Sequence, residues 1–322
     1  MRILRYRADR RTLGIVGGWY ALLAFAFVVS PSGFWANVPL VAGLCAGGFL
    51  GAVATHNAVH SPVFHARWLN NLWQVALTLT YGHPVSSYVP GHNLSHHRHT
   101  ETRRDVMRTD KARFGVHLFN LMFFTASIGT AILGAEIEYA RFAVRRHPRW
   151  TRQLALETVA MVLALAALLA FDWRRTLLYV VIPWQYAAWG IVTMNLLQHD
   201  GCDPSSPYNH SRNFVSPVLN WFVFNNGFHG IHHLRPTLHW SLAPEAHARL
   251  VAPHLDPRLD EPSMAAYVWR TFALPGGRRN FDGTPRLPRD PGPDESWITA
   301  DGPIAATAVA AMRGARPQSA TA

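Results

Sequence analysis

Long apolar stretches separated by short polar breaks dominate the N-terminal part of the chain. No Asp, Glu, Lys or Arg occurs at positions 12–55, and the Pro-Ser-Gly at 31–33 interrupts this stretch near its middle. A span of about 20 apolar residues is long enough to cross the hydrocarbon core of a bilayer. The pattern therefore predicts a helical hairpin with membrane spans at 13–29 and 38–55. A cleaved signal peptide is the alternative for the first span, but the equally apolar second span disfavours it.

A second pair of apolar stretches predicts another hairpin, with spans at 154–171 and 176–198 and a polar turn at 172–175 between them. Pro183 lies inside the return span and predicts a kink there. The fold expected is an all-α membrane protein with about four transmembrane helices in two hairpins and a cytoplasmic, histidine-rich helical cap.

Two further apolar stretches, at 69–88 and 114–135, are nearly long enough to span but contain several polar residues. If either crossed the bilayer alone, the histidine clusters before and after it would face opposite sides and could not share metals. We therefore expect both at the interface or as re-entrant segments, although as a pair of crossings they would compensate each other.

Composition and charge agree with a membrane location. The chain is 49% hydrophobic and only 15% charged, whereas ordinary soluble domains contain about 25% charged residues. The net charge of +11 is compatible with nucleic acid or with loops that flank a membrane. The basic residues cluster beside apolar stretches, which favours the second explanation and predicts no nucleic-acid partner. We expect an integral protein of a bacterial inner membrane with both termini cytoplasmic.

The C-terminal residues 276–322 are rich in Pro, Gly, Asp, Arg and Ala and are predicted to be a disordered tail. Residues 1–275 are then one membrane domain. The two cysteines, Cys45 and Cys202, form neither a disulfide framework nor a CxxC metal site. Any metal or redox chemistry must therefore rest on histidine.

Half of the 18 histidines fall into tight clusters, which makes them candidate metal ligands. Their i, i+3 and i, i+4 spacings put imidazoles on one face of a helix. A single HxxxH is more often incidental than metal-binding, and the prediction rests on the clusters together. The clusters are His56 and His60; His92, His96 and His97; His229, His232 and His233; and, at the end of the last span, His199 with Asn195.

Imidazoles this crowded repel each other when protonated, but they are tolerated when neutral and bound to iron, zinc or copper. Asp105 and Asp200 lie close to the clusters in sequence. Either carboxylate is a candidate to orient a ligand imidazole through its second ring nitrogen.

The three clusters and the four-span body resemble the integral-membrane fatty acid desaturase and hydroxylase superfamily, over about residues 13–270. The resemblance implies that two iron ions are bound by eight box histidines and one histidine of the last span, with an asparagine acting through water. The residues that match are His56, His60, His92, His96, His97, His199, His229, His232, His233 and Asn195. One departure is the second box, which is HxxxHH where HxxHH is the commonest desaturase pattern.

The resemblance further implies O2 as co-substrate, a lipid acyl substrate and electrons from a separate protein. No flavin or nicotinamide fingerprint and no fused haem module is evident in the sequence, so the donor expected is a ferredoxin or a small haem protein. Fatty acyl desaturation is the leading interpretation, and a lipid or carotenoid hydroxylase or ketolase is the alternative. A histidine-rich metal transporter is disfavoured because the predicted spans are nearly free of ionisable residues.

Overall fold

The computed structural model describes residues 3–286 and 290–298, and most of these residues are helical. The α-helices, in chain order, are α1 Asp9–Val29, α2 Phe34–His60, α3 Arg67–Tyr81, α4 Val85–Val89, α5 His97–His99, α6 His117–Arg146, α7 Pro148–Thr176, α8 Ile182–His199, α9 Pro217–Phe222, α10 His229–Leu234, α11 Ala243–Leu250 and α12 Met264–Val268. Three π-helical segments cover Pro90–His96, Leu177–Val181 and Trp269–Ala273. Strands β1 (Asn213–Phe214) and β2 (Asp260–Glu261) form a short parallel pair.

Four helical stretches in the described part of the chain are long and apolar enough to cross a membrane. They are α1, α2, α6 and the continuous run Pro148–His199. This run contains α7 and α8 and is broken at Asp172, whose backbone is non-helical at φ −158° and ψ 97°. The predicted all-α membrane fold is therefore confirmed, although the four stretches are not the four predicted spans, because two of those lie in one run and α6 is additional.

Two close helix contacts depend on glycines of α2. A Cβ atom at Gly47 would lie 2.7 Å from Cδ1 of Trp19 in α1. A Cβ atom at Gly51 would lie 2.5 Å from Cγ2 of Thr80 in α3. The bare backbone therefore lets α1 and α3 pack directly against α2.

The last turn of α1 and the first turn of α2 contact the region between α7 and α8. Nη1 of Arg175 donates to the carbonyl of Phe27 over 2.6 Å, and the hydroxyl of Tyr179 bonds Oδ1 of Asn37. Since α2 and α8 both start near these contacts and end in histidines, the histidines lie at the opposite end of the bundle.

The segment predicted at 69–88 folds as two short helices. Helix α3 has 15 residues, too few to cross a bilayer. The chain then turns at Gly82, whose φ of +76° favours glycine, and continues into α4. Trp184 of α8 donates from Nε1 to the carbonyl of Leu79 over 2.9 Å, which fixes this turn against the bundle.

The segment predicted at 114–135 belongs to α6, which has 30 residues and is longer than expected. The loop before α6 and the C-terminal half of this helix both contact residues near the end of the described chain. Just before α6, the carbonyl of Ala112 accepts from Arg278, and near its C-terminal end Tyr139 stacks on Trp297 at 6.0 Å between ring centroids.

The described part of the predicted disordered tail packs on the protein body. We call residues 276–286 and 290–298 the C-terminal strap. Its Trp297 is only 3% exposed, and its Arg278 and Asp294 form ion pairs with Asp200 and Arg108. Composition alone did not reveal these long-range pairs. The remainder of the predicted tail lies outside the described residues.

Candidate metal centre

The first histidine cluster lies on the last turns of α2. His56 and His60 are one helical turn apart, with ring centroids 5.2 Å from each other. Both side chains are buried, at 5% and 6% exposure. The helix continues past the predicted end of the membrane span at residue 55 to His60, so both imidazoles lie on one helix face as the i, i+4 spacing predicts.

The second cluster lies on a π-helical turn. The N–H of His97 bonds the carbonyl of His92, five residues earlier, which is the π-helical pattern. This turn brings residues five apart together, and the Nε2 atoms of His92 and His97 are 3.1 Å apart. His96 points to a different set of histidines. Consecutive histidines therefore diverge, whereas the sequence pattern paired His92 with His96 on one face.

The third cluster lies on the short helix α10. Asn213 of β1 accepts from the backbone N–H of Gly230 over 2.8 Å, which satisfies one of the free donors at the helix N-terminus. Just before α10, a Cβ atom at Gly227 would lie 2.2 Å from the carbonyl oxygen of Phe214, so only glycine fits there. These contacts fix α10 against the loop that follows α8.

Nine histidines converge in two groups, and they are the nine predicted from the sequence. Within each group the candidate ligand nitrogens all lie within 4.8 Å of one another. The groups adjoin, since the rings of His97 and His233 are 4.4 Å apart between centroids. Group one contains His56, His60, His92, His97 and His232, and group two contains His96, His199, His229 and His233.

The ring nitrogens in these groups fit a metal site. In group two, Nε2 of His229 is 2.9 Å from Nε2 of His199 and 3.1 Å from Nε2 of His233. Buried ring nitrogens without a hydrogen-bond partner remain in both groups, which is costly for polar atoms unless a metal binds them. These nitrogens are Nδ1 of His56, Nε2 of His60, Nε2 of His96, Nδ1 of His97 and Nε2 of His232.

The protonation of the clusters suits ligation. Burial, reinforced by neighbouring imidazoles, holds the pKa of His92, His97 and His232 well below the ordinary value of 6.5. Burial and neighbouring histidines lower the pKa of His229 and His233 in the same direction. These imidazoles are therefore neutral at pH 7, the state in which a ring nitrogen binds a metal.

Two ligand candidates of group two are oriented through their second ring nitrogen. Nδ1 of His96 lies 2.9 Å from Oδ2 of Asp105, and neither side chain is exposed. Nδ1 of His199 lies 2.9 Å from the carbonyl oxygen of His210. In both cases Nε2 is the nitrogen left for a metal.

Asp200 does not orient an imidazole, unlike Asp105. Its carboxylate accepts two hydrogen bonds of 2.7 Å from Arg278 and one of 3.1 Å from Arg286. Burial alone would raise the pKa of this carboxyl, but the hydrogen bond and charge of Arg278, with the charge of Arg286, hold it below its ordinary value. The carboxylate is therefore ionised, and it binds two arginines of the C-terminal strap.

Asn195 lies beside the two groups. Its Nδ2 donates to the carbonyl of Met107 over 2.7 Å. It also lines a cavity of about 30 Å³ together with His56, His92 and His229. The other walls of this cavity are mainly apolar, formed by Phe49, Val53, Tyr88, Met107, Ile191, Met194 and Val223.

Other histidines lie outside the two groups, among them His65, His99, His117 and His239. His239 instead pairs with Asp9 at 3.1 Å. Sequence reasoning did not single out His210, whose carbonyl bonds His199 and whose ring lies 5.2 Å from that of His233 between centroids. Its loop carries no periodic signal that would have identified it.

Two comparisons with known proteins bear on this site. A family model described as fatty acid desaturase matches residues 33–261. The chain is also 26% identical over 194 residues to an alkane 1-monooxygenase of Pseudomonas putida. This second match covers 56% of the chain and 46% of that protein, so the chain spans about half the length of this curated relative.

Proposed function

The chain belongs to the fatty acid desaturase family, and from that premise we propose that it is an O2-dependent di-iron oxidase of lipid acyl chains in the membrane. The observation that carries this proposal is the convergence of nine histidines in two adjoining groups at the end of an apolar bundle. The family is di-iron, and an all-imidazole donor set is one that iron accepts.

Each group would hold one iron ion. Group one would supply nitrogens from His56, His60, His92, His97 and His232, and group two from His96, His199, His229 and His233. Asn195, beside the cavity, would contribute through water. When bound, the two irons would supply an oxidant strong enough for an unactivated C–H bond, which no side chain provides.

The residues of the chain would bind the metals, orient the substrate and exclude water. Six of the nine histidines are buried and His97, His232 and His233 are half-buried, which limits the access of bulk water that would quench a reactive oxidant. The apolar side chains of the cavity would hold a methylene segment beside His56 and His92. A cavity of about 30 Å³ is too small for an acyl chain, so chain entry requires these side chains to move.

The leading reaction is desaturation. A CH2–CH2 unit, O2, two electrons and two protons would give a CH=CH unit and two waters. The electrons would come from a separate ferredoxin or small haem protein. The histidine centre would face the cytoplasm, because the positive-inside rule would place the basic segments that flank the apolar helices on that side.

Oxygen transfer is the second candidate. The similarity to an alkane 1-monooxygenase supports it, and so does the HxxxHH spacing of the second box, which departs from the commonest desaturase pattern. Here one C–H bond, O2, two electrons and two protons would give an alcohol and one water. A carotenoid substrate would demand a rigid, wider cavity than the one beside Phe49 and Tyr88.

Lipid analysis separates these reactions. The protein would be expressed in a bacterial host with a supplied ferredoxin system, and membrane lipids would be analysed by gas chromatography and mass spectrometry. New double bonds that disappear in His232→Ala, but persist in the control His65→Ala outside both groups, would establish desaturation. Hydroxylated products with the same dependence would establish oxygen transfer. Purified protein that holds zinc and no iron would refute the oxidase proposal.

A further inference from the structure

Two contacts of the C-terminal strap involve residues that adjoin or support the histidines of group two. One contact is Asp200, which directly follows His199. The other is the loop 100–113, which contains Asp105 and therefore supports His96. Group one has no such contact with the strap among the described residues.

The contact with Asp200 is a buried ion cluster. Arg278 binds the carboxylate through Nε and Nη2, each at 2.7 Å. Asp200 is 1% exposed and Arg278 8% exposed, while Arg286 adds a second cation at 3.1 Å. The same Arg278 donates from Nη1 to the carbonyl of Ala112 over 2.7 Å. One guanidinium thus joins the end of α8 to the end of the loop 100–113.

The contact with the loop is buried on the side of the loop, while Asp294 of the strap is 34% exposed. Arg108, whose side chain is 1% exposed, pairs with Asp294 at 3.1 Å and donates to the carbonyl of Gly292 over 2.7 Å. The backbone N–H of Glu295 donates to the carbonyl of Arg103 over 2.9 Å. These bonds hold the loop against the strap on both sides of Asp105.

We propose that Arg278 and Arg286 are positioning residues for the second iron. They fix Asp200, and through it the position of His199, while the strap also fixes the loop that supports His96. Without Arg278 and Arg286 the buried carboxylate has no hydrogen-bonded cation, since the neighbouring Arg212 donates to the backbone carbonyl of Asp200 and not to its carboxylate, and it must move toward water. Movement of Asp200 displaces the adjacent His199. This inference rests on the proposed di-iron centre.

The experiment compares iron binding by the full-length chain and its variants. Arg278→Ala and the double variant Arg278→Ala/Arg286→Ala would be purified in detergent and loaded anaerobically with Fe2+. Arg279→Ala is the matched control, since Nη1 of the neighbouring Arg279 donates to the carbonyl of Gly283 and not to Asp200. Iron per chain, affinity for each iron and the EPR signal after oxidation would be measured.

We expect the double variant to weaken one iron by at least about tenfold, as loss of supporting partners of metal ligands does, while the other iron is retained. Uncoupled ferric iron would then give an EPR signal that a coupled pair lacks. Asp200→Asn, which removes the charge without removing bulk, should weaken the same iron. Arg278→Lys should restore part of the binding.

Three results would overturn the inference while leaving the proposed function intact. In the first the double variant holds both irons with unchanged affinity, in the second it loses both equally, and in the third it fails to fold while Asp200→Asn binds two irons normally. Each result contradicts a selective role. Wild-type protein that binds no iron pair would instead refute the proposed function itself.

Discussion

His96 and Asp105 form a fully buried pair, with Nδ1 of the imidazole 2.9 Å from Oδ2 of the carboxylate. Asp105 also accepts from the backbone N–H groups of Glu101 and Met107. These two bonds fix the position of the carboxylate independently of its bond to the imidazole. Its bond to Nδ1 fixes the tautomer that leaves Nε2 free for a metal.

Replacement of Asp105 should weaken metal binding. We expect Asp105→Ala to lower the affinity for one metal about 10- to 100-fold, the usual effect of losing a partner that orients a ligand histidine. Competition with a chelator would measure it. Asp110→Ala is the control on the same loop, because Asp110 pairs with Arg108 and not with a histidine. Equal loss in both variants would mean that the loop, and not the Asp105 carboxylate, supports the site.

The sequence revealed the ligand candidates more completely than their arrangement. Clustered spacing was sufficient to predict nine histidines that lie in two compact groups, and the family resemblance is confirmed by the match over residues 33–261. That these histidines bind iron stays a prediction. The role of Asp105 was also anticipated, since it lies nine residues from His96.

The sequence pattern could not predict contacts between residues far apart in the chain. Arg278 lies 78 residues from Asp200, and no spacing rule links a proline-rich tail to the end of a span. The sequence therefore offered Asp200 as an imidazole partner and the tail as disordered. The apolar stretch at 114–135 is shorter than helix α6, because the charged residues Glu136, Glu138 and Arg141 end the apolar pattern although the helix continues to Arg146.

Glu157 should stabilise the helix that leads to the second histidine box. This carboxylate is fully buried and accepts from both the backbone N–H and the hydroxyl of Ser86, at 2.7 and 3.1 Å. Glu157→Leu leaves these donors unpaired, and we expect a loss of about 1–3 kcal/mol in the free energy of unfolding. Glu157→Gln retains an acceptor and should cost less.

Thermal unfolding in detergent would compare these variants with Glu138→Leu, whose carboxylate bonds Ser296 at an exposed position. Similar melting temperatures for Glu157→Leu and Glu138→Leu would contradict the proposed stabilisation of α4 by the Glu157 carboxylate.

Glu101 should make stability depend on pH. Burial, with the nearby charge of Asp105, raises the pKa of this carboxyl to about 8. Between the ordinary value of 4.5 and this value the folded state binds a proton that the unfolded state lacks. Stability should therefore fall as pH rises from about 5 to 8, with a slope of at most about 1.4 kcal/mol per pH unit, and should level off above 8.

Glu101→Gln removes this titration, so its melting temperature should change less than that of the wild type between pH 5 and 8. Glu295→Gln is the exposed control, since half of its side chain is accessible. The same slope in wild type and Glu101→Gln would show that another group is responsible.

The π-helical turn leads to a prediction about the spacing of the histidines in the second box. His92 and His97 belong to group one and His96 to group two, and the bond from the N–H of His97 to the carbonyl of His92 spans five residues. Removal of one residue between His92 and His96 would convert HxxxHH into HxxHH. In an α-helix the same two imidazoles, now four apart, would again share a face. We therefore expect deletion of Asn93 to retain both metals, since the π turn relaxes to an α turn.

Deletion of Ala58 is the matched test in the first box, where His56 and His60 already lie on a regular α-helix. Here the loss of one residue rotates the following imidazole by about 100°, so group one should lose its metal. Iron per chain in the two deletion variants, measured after anaerobic loading, separates the explanations. If the Asn93 deletion loses iron as completely as the Ala58 deletion, the extra residue is itself required, and HxxxHH is not equivalent to the common desaturase box.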